Sequence, residues 1–357
     1  MKTVRAWWIP AEDSGPEREY LWPYINRELG IRLFYGGDQR AIQLARVNNG
    51  QKAIFFVDSS VKNFDFLDHF PAKSAIVFFV SNETYSAWAA IRILLKPSTI
   101  KIFRDYPIGN FSRLIHYPTL LIQAIREKIT YKVPAKFFYL AFFAGLIMTS
   151  KQFCMESISA LMRKRVDWIP LGYTLRFSEI YAQRFNLEKG TSILKHSLEI
   201  VFDNIEYEKK SNTFFSGQLG GFDRQVMIKA AQVGGLIVGP IFEQFGGPLH
   251  SSSKKKAEEN YFLGLLKSRF SICPPGNYSA ESFRYLESLI LHSYPLLKTR
   301  VLSDPLSTLH QRINFERYVL HPNSRGEIST REEIKEKLVE IRESVLQIHR
   351  ELTLPTR

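Results

Sequence analysis

Two charged residues, Arg284 and Glu287, follow a turn of the phosphate-binding type in SRFSICPPGNYSAESFRYLESLILHSYPLL, residues 268–297. A short apolar strand ends in a Pro-Pro-Gly turn, and Ser279 is a candidate N-cap for a helix that starts near residue 280. The free backbone N–H groups of a first helical turn attract anions. The pattern therefore predicts a diphosphate at the helix start, with Arg284 on its charge and Glu287 on the two ribose hydroxyls.

The same two residues also fit a purely structural interpretation. At their three-residue spacing, Arg284 and Glu287 share a helix face and would form an ion pair on a solvated surface. Phe283, Leu286 and Ile290 would then form the opposite, core-facing stripe. The combination of the charged pair with the preceding turn favours the nucleotide site.

The surrounding elements alternate between strand-like and helix-like patterns, which predicts an α/β fold with parallel sheets covered by helices. Continuous apolar runs such as AIFFVD and AIVFFVS are typical of strands buried on both faces. A second strand–loop–helix unit is predicted where residues 213–215 run into a Gly-rich loop and then a helix from about Asp223. The C-terminus is predicted to form an amphipathic helix with a buried stripe of Ile334, Leu338, Ile341, Val345, Ile348 and Leu352.

The composition favours an anionic partner. The 357 residues include 48 basic and 35 acidic ones, a formal net charge of +13, and the 45% hydrophobic content is typical of a folded chain rather than a disordered one. The two cysteines, Cys154 and Cys273, have no metal-ligand spacing, and no helix-turn-helix or zinc-finger signature accompanies the charge. We therefore expect a nucleotide, a phosphate-rich polymer or an anionic membrane surface as partner, rather than nucleic acid.

The N-terminus lacks the apolar run of a signal peptide, so we expect a cytoplasmic protein. The most apolar stretch, FFYLAFFAGLIM at residues 137–148, is shorter than the roughly 20 residues that span a bilayer. Two interpretations of this stretch stay open: a buried core helix, or an interfacial helix beside the basic segment at residues 125–136. The second would dock the protein peripherally at the inner face of the membrane.

Three segments, in order along the chain, resemble the exostosin-like glycosyltransferases. The pattern F-x-I-C-P-x-G, then S-x-R-x-x-E before P-L-L, is similar to the donor-site segment of that family, and AESFRYLESL looks closest to its ribitol-phosphate xylosyltransferase-like branch. YFLGLLKSRFSICPPG resembles the segment that leads into this site, and FFSGQLGGFDRQVMIKA resembles an earlier F-x-G followed by Arg. The resemblance covers residues 211–300.

The resemblance implies two Rossmann-like domains facing across a cleft, the GT-B arrangement, with a nucleotide-sugar donor in the C-terminal one. We accordingly expect an acceptor-side domain at residues 1–190, a donor domain at 191–328 and, at 329–357, a helix that packs back across their junction. The leaving group by family likeness is UDP, with UDP-xylose one candidate donor. HSYP at residues 292–295 departs from the smaller, Gly-containing turn of the family, which leaves the donor sugar open. Carried over to this sequence, the donor-binding residues are Arg224, Gly276, Ser279, Glu281, Arg284 and Glu287.

The sequence lacks a DxD motif, and DFLD at residues 65–68 has the wrong spacing, so we expect neither a metal nor another cofactor. Arg224 and Arg284 would then supply the positive charge that stabilises the departing diphosphate. An inverting transfer also needs a base for the acceptor hydroxyl, which we expect at the carboxyl ends of the N-terminal strands. Asp105 is preferred because Arg104, Tyr106, Arg113 and His116 surround it in sequence. Asp13 is kept as a second candidate base, and the further candidates are Glu12, Asp58 and Glu83.

The sequence thus predicts an enzyme, a metal-independent and inverting glycosyltransferase. It would move a sugar from a nucleotide diphosphate to a hydroxyl of a glycan, including a phosphate-containing or lipid-linked glycan, as in surface polysaccharide synthesis. Two other classes stay open: a basic protein that binds nucleic acid or another polyanion without catalysis, and a non-catalytic sensor or scaffold that binds a nucleotide sugar. Salt-sensitive nucleic-acid binding would favour the former, and binding without transfer the latter.

Overall fold

The chain divides into two compact units. The first comprises Met1–Ile108, Ser150–Leu175 and Ile341–Arg357, and the second comprises Gly109–Thr149 and Arg176–Glu340. Residues 109–149 therefore cluster with the second unit, whereas the sequence placed them in the first domain; the predicted domain bounds stay a prediction. The computed structural model describes residues 4–9, 24–35, 52–58, 61, 63–80, 87–104, 115–162, 165–169, 172–201, 211–217, 220–236, 252–275, 282–298, 302 and 330–353.

A six-stranded parallel sheet forms the centre of the first unit, in the order β2-β1-β3-β4-β5-β6. The apolar runs in β3 and β4 are buried on both faces: Phe55, Phe56, Phe78 and Phe79 are at most 1% exposed. The predicted α/β class with parallel sheets is therefore confirmed. The strands are β1 (Val4–Ile9), β2 (Ile31–Tyr35), β3 (Ala53–Asp58), β4 (Ala75–Val80), β5 (Thr99–Arg104) and β6 (Arg165–Trp168).

The described helices surround the two sheets. A 3₁₀ turn, Asp65–His69, lies between β3 and β4, and a π-helical turn, Ser197–Val201, continues the fifth helix. In chain order the helices are α1 (Ala87–Leu95), α2 (Tyr117–Thr130), α3 (Ala135–Met162), α4 (Leu175–Arg184), α5 (Ile193–His196), α6 (Phe222–Val233), α7 (Ser252–Lys267), α8 (Phe283–Ile290) and α9 (Thr330–Thr353).

A three-stranded parallel sheet, in the order β7-β8-β9, forms the centre of the second unit. Its strands are β7 (Ser211–Phe214), β8 (Ser268–Ile272) and β9 (Tyr294–Leu296). The helix α7 approaches β7 closely because Gly264 has no side chain: a Cβ there would lie 2.2 Å from ring atoms of Phe214.

The predicted C-terminal helix is confirmed as α9, and all six residues of its predicted stripe are buried. Its first part belongs to the second unit, where the hydroxyl of Tyr294 donates to Glu333 at 2.9 Å. Its last part belongs to the first unit, where Lys101 Nζ lies 2.5 Å from Glu351 Oε2 and His349 Nδ1 donates to the Leu29 carbonyl.

A buried ion cluster stabilises the second unit. Lys298, just after β9, has its Nζ 2.8 Å from Asp223 Oδ1 and 2.7 Å from Glu127 Oε2. The other oxygen of Asp223 accepts from the backbone N–H of Leu302 at 3.1 Å. Burial alone would lower the pKa of Lys298, but the two carboxylates outweigh it and raise the pKa above the ordinary value. The cluster thereby joins α2, α6 and the end of β9.

Gly172 has a packing role in the first unit and a backbone that favours glycine. Its φ is +82°, and a Cβ there would lie 2.6 Å from Cβ of Tyr24, whose ring packs edge-on against Tyr173. The hydroxyl of Tyr173 in turn donates to buried Glu28 at 2.8 Å. Close packing therefore accounts for this glycine without any contact to a ligand.

We expect Gly172→Ala to lower the free energy of unfolding by about 2–4 kcal/mol, because backbone strain and overpacking act together. Gly190 provides the matched control: its φ is +90°, and no atom lies within 4 Å of the Cβ position. Gly190→Ala should therefore cost only the strain, about 1 kcal/mol. Urea unfolding of both variants measures the difference, and equal losses would contradict the packing role of Gly172.

Candidate functional site

Two arginines tie together the loops at the carboxyl edge of the β7-β8-β9 sheet. Arg224, in the first turn of α6, donates from its guanidinium to the carbonyl of Pro275, in the loop after β8, at 3.1 Å. Arg284, in the first turn of α8, lies against Gly217, in the loop after β7: a Cβ on Gly217 would be 2.4 Å from its Nη2. Each arginine thus reaches the loop of the neighbouring strand. This edge is the usual ligand-binding edge of an open parallel sheet.

The two guanidinium groups are withdrawn from water and interact with each other. Arg284 is 8% exposed, and its Nε has no hydrogen-bond partner among the described residues. Burial, and secondarily the charge of Arg284, lowers the pKa of Arg224 to about 10. At that pKa Arg224 stays protonated at neutral pH, so its charge and the charge of Arg284 repel each other in the unliganded protein. Such a pair is suited to an anion with more than one charge.

Glu287 places a carboxylate on the same helix, one turn after Arg284. It is fully buried, and its Oε2 accepts a hydrogen bond from the hydroxyl of Tyr261 on α7 at 2.9 Å. Burial, followed by the charge of Glu287, raises the pKa of Tyr261 well above its ordinary value, so this phenol stays a donor. Tyr261 therefore fixes the orientation of a carboxylate that the sequence assigned to ribose.

The interpretation of Arg284 and Glu287 as an ion pair on a solvated surface is wrong, because α8 is buried on every side. Its first residue, Phe283, is half-buried, and each residue from 284 to 290 is buried. The described helix starts at Phe283 with Ser282 as N-cap, three residues later than predicted from Ser279. The later start moves Arg284 into the first helical turn, at the end where an anion is stabilised.

A hydroxyl network holds α8 against β8. Ser271 donates to the hydroxyl of Ser288 at 2.7 Å, and Ser288 donates to the backbone carbonyl of Arg284 at 2.6 Å. Cys273 lies within 3.5 Å of both hydroxyls, and burial raises the pKa of its thiol, which disfavours a nucleophilic thiolate. The network is a positioning device for the helix that carries Arg284 and Glu287.

The remaining predicted donor residues, Gly276, Ser279 and Glu281, lie outside the described residues. Both preferred base candidates, Asp13 and Asp105, lie outside them as well, together with Glu12 and Glu83. Of the predicted donor residues, Arg224, Arg284 and Glu287 are described, and of the base candidates Asp58 is described, at the end of β3. The three donor residues can therefore be placed. All three lie in the second unit, on the helices that follow β7 and β8.

The strand order of the first sheet bears on the choice of base. It reverses at β1, which has β2 on one side and β3 on the other, and ligands of open parallel sheets bind outside the carboxyl ends at such a reversal. Asp58 is the last residue of β3 and Asp13 follows β1 in sequence. β5, which ends at Arg104, lies two strands from β3. The reversal therefore lies at the carboxyl ends of β1 and β3, and the choice of base among Asp13, Asp58 and Asp105 stays a prediction.

Among the described residues, His, Cys, Asp and Glu side chains form no cluster of three or more that could hold a metal ion. The carboxylates of DFLD are bound by a lysine: Lys96 Nζ lies 2.9 Å from Asp65 and 2.5 Å from Asp68. The hydrogen bond from Lys96 also lowers the pKa of Asp65. These two aspartates therefore have a structural partner.

Three contributors to this edge were not predicted from the sequence: Gly217, Tyr261 and the ion cluster around Lys298. Gly217 and Tyr261 both lie in segments that carry the family resemblance, FFSG and YFLGLL, which is the signal that could have identified them. Lys298 carries no such signal, because its partners Asp223 and Glu127 are remote in sequence.

No protein-family model and no curated protein matches this chain. The exostosin-like resemblance therefore stays a hypothesis. In HSYP, the segment that differs from a Gly-containing turn of the exostosin-like family, His292 has a φ of +56°, in the left-handed region that glycine occupies most easily. A glycine would suit the backbone here, and histidine instead places its Nε2 3.4 Å from the hydroxyl of Ser197.

Proposed function

We propose that this protein is a metal-independent, inverting glycosyltransferase of the GT-B type, in which two Rossmann-like domains face each other. The donor is a nucleotide diphosphate sugar, with UDP as the nucleotide by family likeness. The observation that carries the proposal is the pair of mutually repelling arginines, buried Arg284 and half-buried Arg224, at the carboxyl edge of a parallel sheet, beside the buried carboxylate of Glu287. A diphosphate supplies the negative charge that would neutralise the two arginines.

In the proposed reaction, an acceptor hydroxyl oxygen attacks the anomeric carbon of the donor sugar. The bond from that carbon to the diphosphate oxygen breaks, and the nucleoside diphosphate leaves with the electron pair. Arg224 and Arg284 neutralise the charge that develops on the leaving group, which fixed donors do best in a desolvated site. The acceptor proton passes to a carboxylate, for which Asp13, Asp58 and Asp105 are the candidates.

Glu287 is proposed to bind the ribose hydroxyls of the nucleotide. A carboxylate oxygen accepts more than one hydrogen bond, so the bond from Tyr261 is compatible with this role. The acceptor is a hydroxyl of a glycan, including a phosphate-containing or lipid-linked glycan, as suits the net charge of +13.

We expect UDP to stabilise the protein against thermal unfolding, because a ligand at about a hundred times its Kd adds roughly 2.7 kcal/mol. Glu287→Ala should abolish most of this shift. In the wild type, 2′-deoxy-UDP should give a smaller shift than UDP, and the variant should no longer distinguish the two nucleotides. The measurement is a thermal shift with a panel of nucleoside diphosphates, followed by a transfer assay with and without a chelator.

Tyr261→Phe serves as the control, because it removes the hydroxyl that orients Glu287 and keeps the carboxylate. It should weaken UDP binding less than Glu287→Ala does. A variant Glu287→Ala that still distinguishes UDP from its deoxy form would remove Glu287 from the ribose site. UDP binding without transfer to any glycan would instead favour a sensor, and a strong loss of transfer with the chelator would contradict the metal-independent mechanism.

A further inference from the structure

The helix α2 and the part of α3 up to Thr149, both in the second unit, form a hairpin with one face packed and one face exposed. The packed face of α3 includes Phe138 and Ala141, which join Phe222 and Val226 of α6 in one buried cluster. It also includes Gly145, where a Cβ would lie 2.4 Å from the carbonyl oxygen of Leu302. One side of the hairpin therefore packs against its own unit. The other side is exposed even though the hairpin has this packed face.

The exposed face is apolar along a continuous helical stripe. Its residues on α3 recur at the three- and four-residue spacing of one helix face, and each is 42–64% exposed. Three isoleucines on α2 are 43–71% exposed. Together they form what we call the apolar hairpin surface: Ile122, Ile125 and Ile129 on α2, and Tyr139, Leu140, Phe143, Leu146 and Ile147 on α3.

The charge around this surface is predominantly positive. Over α2 and α3, residues 117–162, the chain contains five basic side chains and two acidic ones, Glu156 in the last two turns of α3 and Glu127 on α2. The carboxylate of Glu127 is bound to buried Lys298 at 2.7 Å and is therefore neutralised. Two lysines also lie over aromatic rings of α3, with Lys128 5.7 Å from the centroid of Phe138 and Lys136 5.0 Å from that of Phe137. The five basic residues are Arg126, Lys128, Lys132, Lys136 and Lys151.

We propose that the apolar hairpin surface docks the protein onto an anionic lipid surface, lying in the interface without crossing it. An exposed apolar face with basic side chains around it is the pattern of helices that lie in the headgroup region. Apolar side chains insert among the acyl chains, while the lysines contact lipid phosphates. This inference stands on the hairpin alone and does not require the proposed transferase activity.

Two other occupants fit the surface less well. A second copy of the chain, related by a two-fold axis, would bring the same five basic residues against one another. A bilayer crossing is also disfavoured. By length and composition α3 could span a membrane, but a single helix of this kind is weak support for a crossing, since buried core helices share these two properties. The apolar run at residues 137–148 extends only about 18 Å, against the roughly 30 Å of a hydrocarbon core.

The test is flotation of the full-length protein, without substrate, on phosphatidylcholine vesicles with and without phosphatidylglycerol. We expect binding to the anionic vesicles only, reversed by salt. The double variant Leu140→Gln/Phe143→Gln should lower vesicle binding about ten-fold or more, because two inserting side chains are lost. Lys136→Glu should lower it as well, through the charge alone. Val233→Gln is the matched control: Val233 is 82% exposed but lies on α6, outside the surface, and its variant should bind like the wild type.

Several results would overturn the proposal. They are equal binding to neutral and anionic vesicles, no flotation with either, or undiminished binding by the double variant while its thermal unfolding matches the wild type. A dimer that the double variant converts to a monomer, without any vesicle binding, would assign the surface to a second copy. Protein that stays with membranes in alkaline carbonate would mean that α3 crosses the bilayer. Because no nucleotide is present, each outcome is independent of the donor site.

Discussion

Arg284→Gln is expected to lower the rate of sugar transfer at least about 100-fold, because it removes a preorganised positive charge from the departing diphosphate. UDP should no longer stabilise the variant against thermal unfolding. The stability of the unliganded protein should change by no more than about 1 kcal/mol, since the loss of packing is offset by relief of the repulsion with Arg224. Transfer kinetics and thermal unfolding with and without UDP measure both effects.

The stability of the protein without UDP distinguishes a ligand-binding arginine from a structural one. A structural Arg284 would give the reverse pattern, a large loss of stability with nucleotide binding per folded molecule unchanged. Arg224→Gln provides a second variant with the same expectation, since Arg224 contributes the other, half-buried cation of the pair. Arg331→Gln is the control, because Arg331 is exposed on α9 and its variant should retain both transfer and the UDP shift.

Lys298→Met is expected to lower the free energy of unfolding by about 3–5 kcal/mol, which is the typical result of breaking a buried ion pair from one side. The substitution leaves the carboxylates of Asp223 and Glu127 without the ammonium group between them. Asp223 is only 3% exposed, so water compensates its charge poorly. Urea unfolding measures the loss.

The pH dependence of this loss follows from the direction of the Lys298 pKa shift. A lysine whose pKa is raised by folding contributes its full stabilisation below the unfolded pKa and loses it as pH rises through the folded pKa. The difference between wild type and Lys298→Met should therefore stay constant near neutral pH and shrink only at strongly alkaline pH. Lys337→Met, which removes a surface pair with Glu340, should cost at most about 1 kcal/mol. A similar loss in both variants would contradict a special role for the buried cluster.

The strand order of the first unit adds a criterion for the base that neighbouring residues in sequence do not carry, while Asp105 itself stays a prediction. Asp105 was preferred because cationic and hydroxyl side chains surround it along the chain. The strand order places β5 two strands from β3, away from the reversal at β1 where ligands bind in sheets of this kind. Neighbouring residues in sequence do not indicate where a strand lies in the sheet, because the order of strands in a parallel sheet is set by crossover connections rather than by order along the chain.

The elements that could be predicted from the sequence are those whose signal is local and periodic. The apolar runs of β3 and β4 indicated strands covered on both faces, since only a parallel sheet between helices buries every side chain of a strand. The stripe along α9 indicated an amphipathic helix, because a 3.6-residue period places those side chains on one face. The same periodicity located α8 and the order of Arg284 and Glu287 along it.

The environment of those two residues was decided by the tertiary structure alone. Sequence spacing allowed Arg284 and Glu287 either a solvated surface or a nucleotide site, because a helix face has no burial until its neighbours are in place. Packing against β8 and α7 buries both side chains, and the loops after β7 and β8 bring Arg284 and Arg224 to one edge of the sheet. The cluster of Lys298 with Asp223 and Glu127 likewise depends on folding, since only the folded chain brings such distant residues within hydrogen-bonding distance.

The sequence by itself therefore determined the class of fold and the residue types available for chemistry. The tertiary structure decided which charges are desolvated and share one site, because burial and proximity belong to the folded chain.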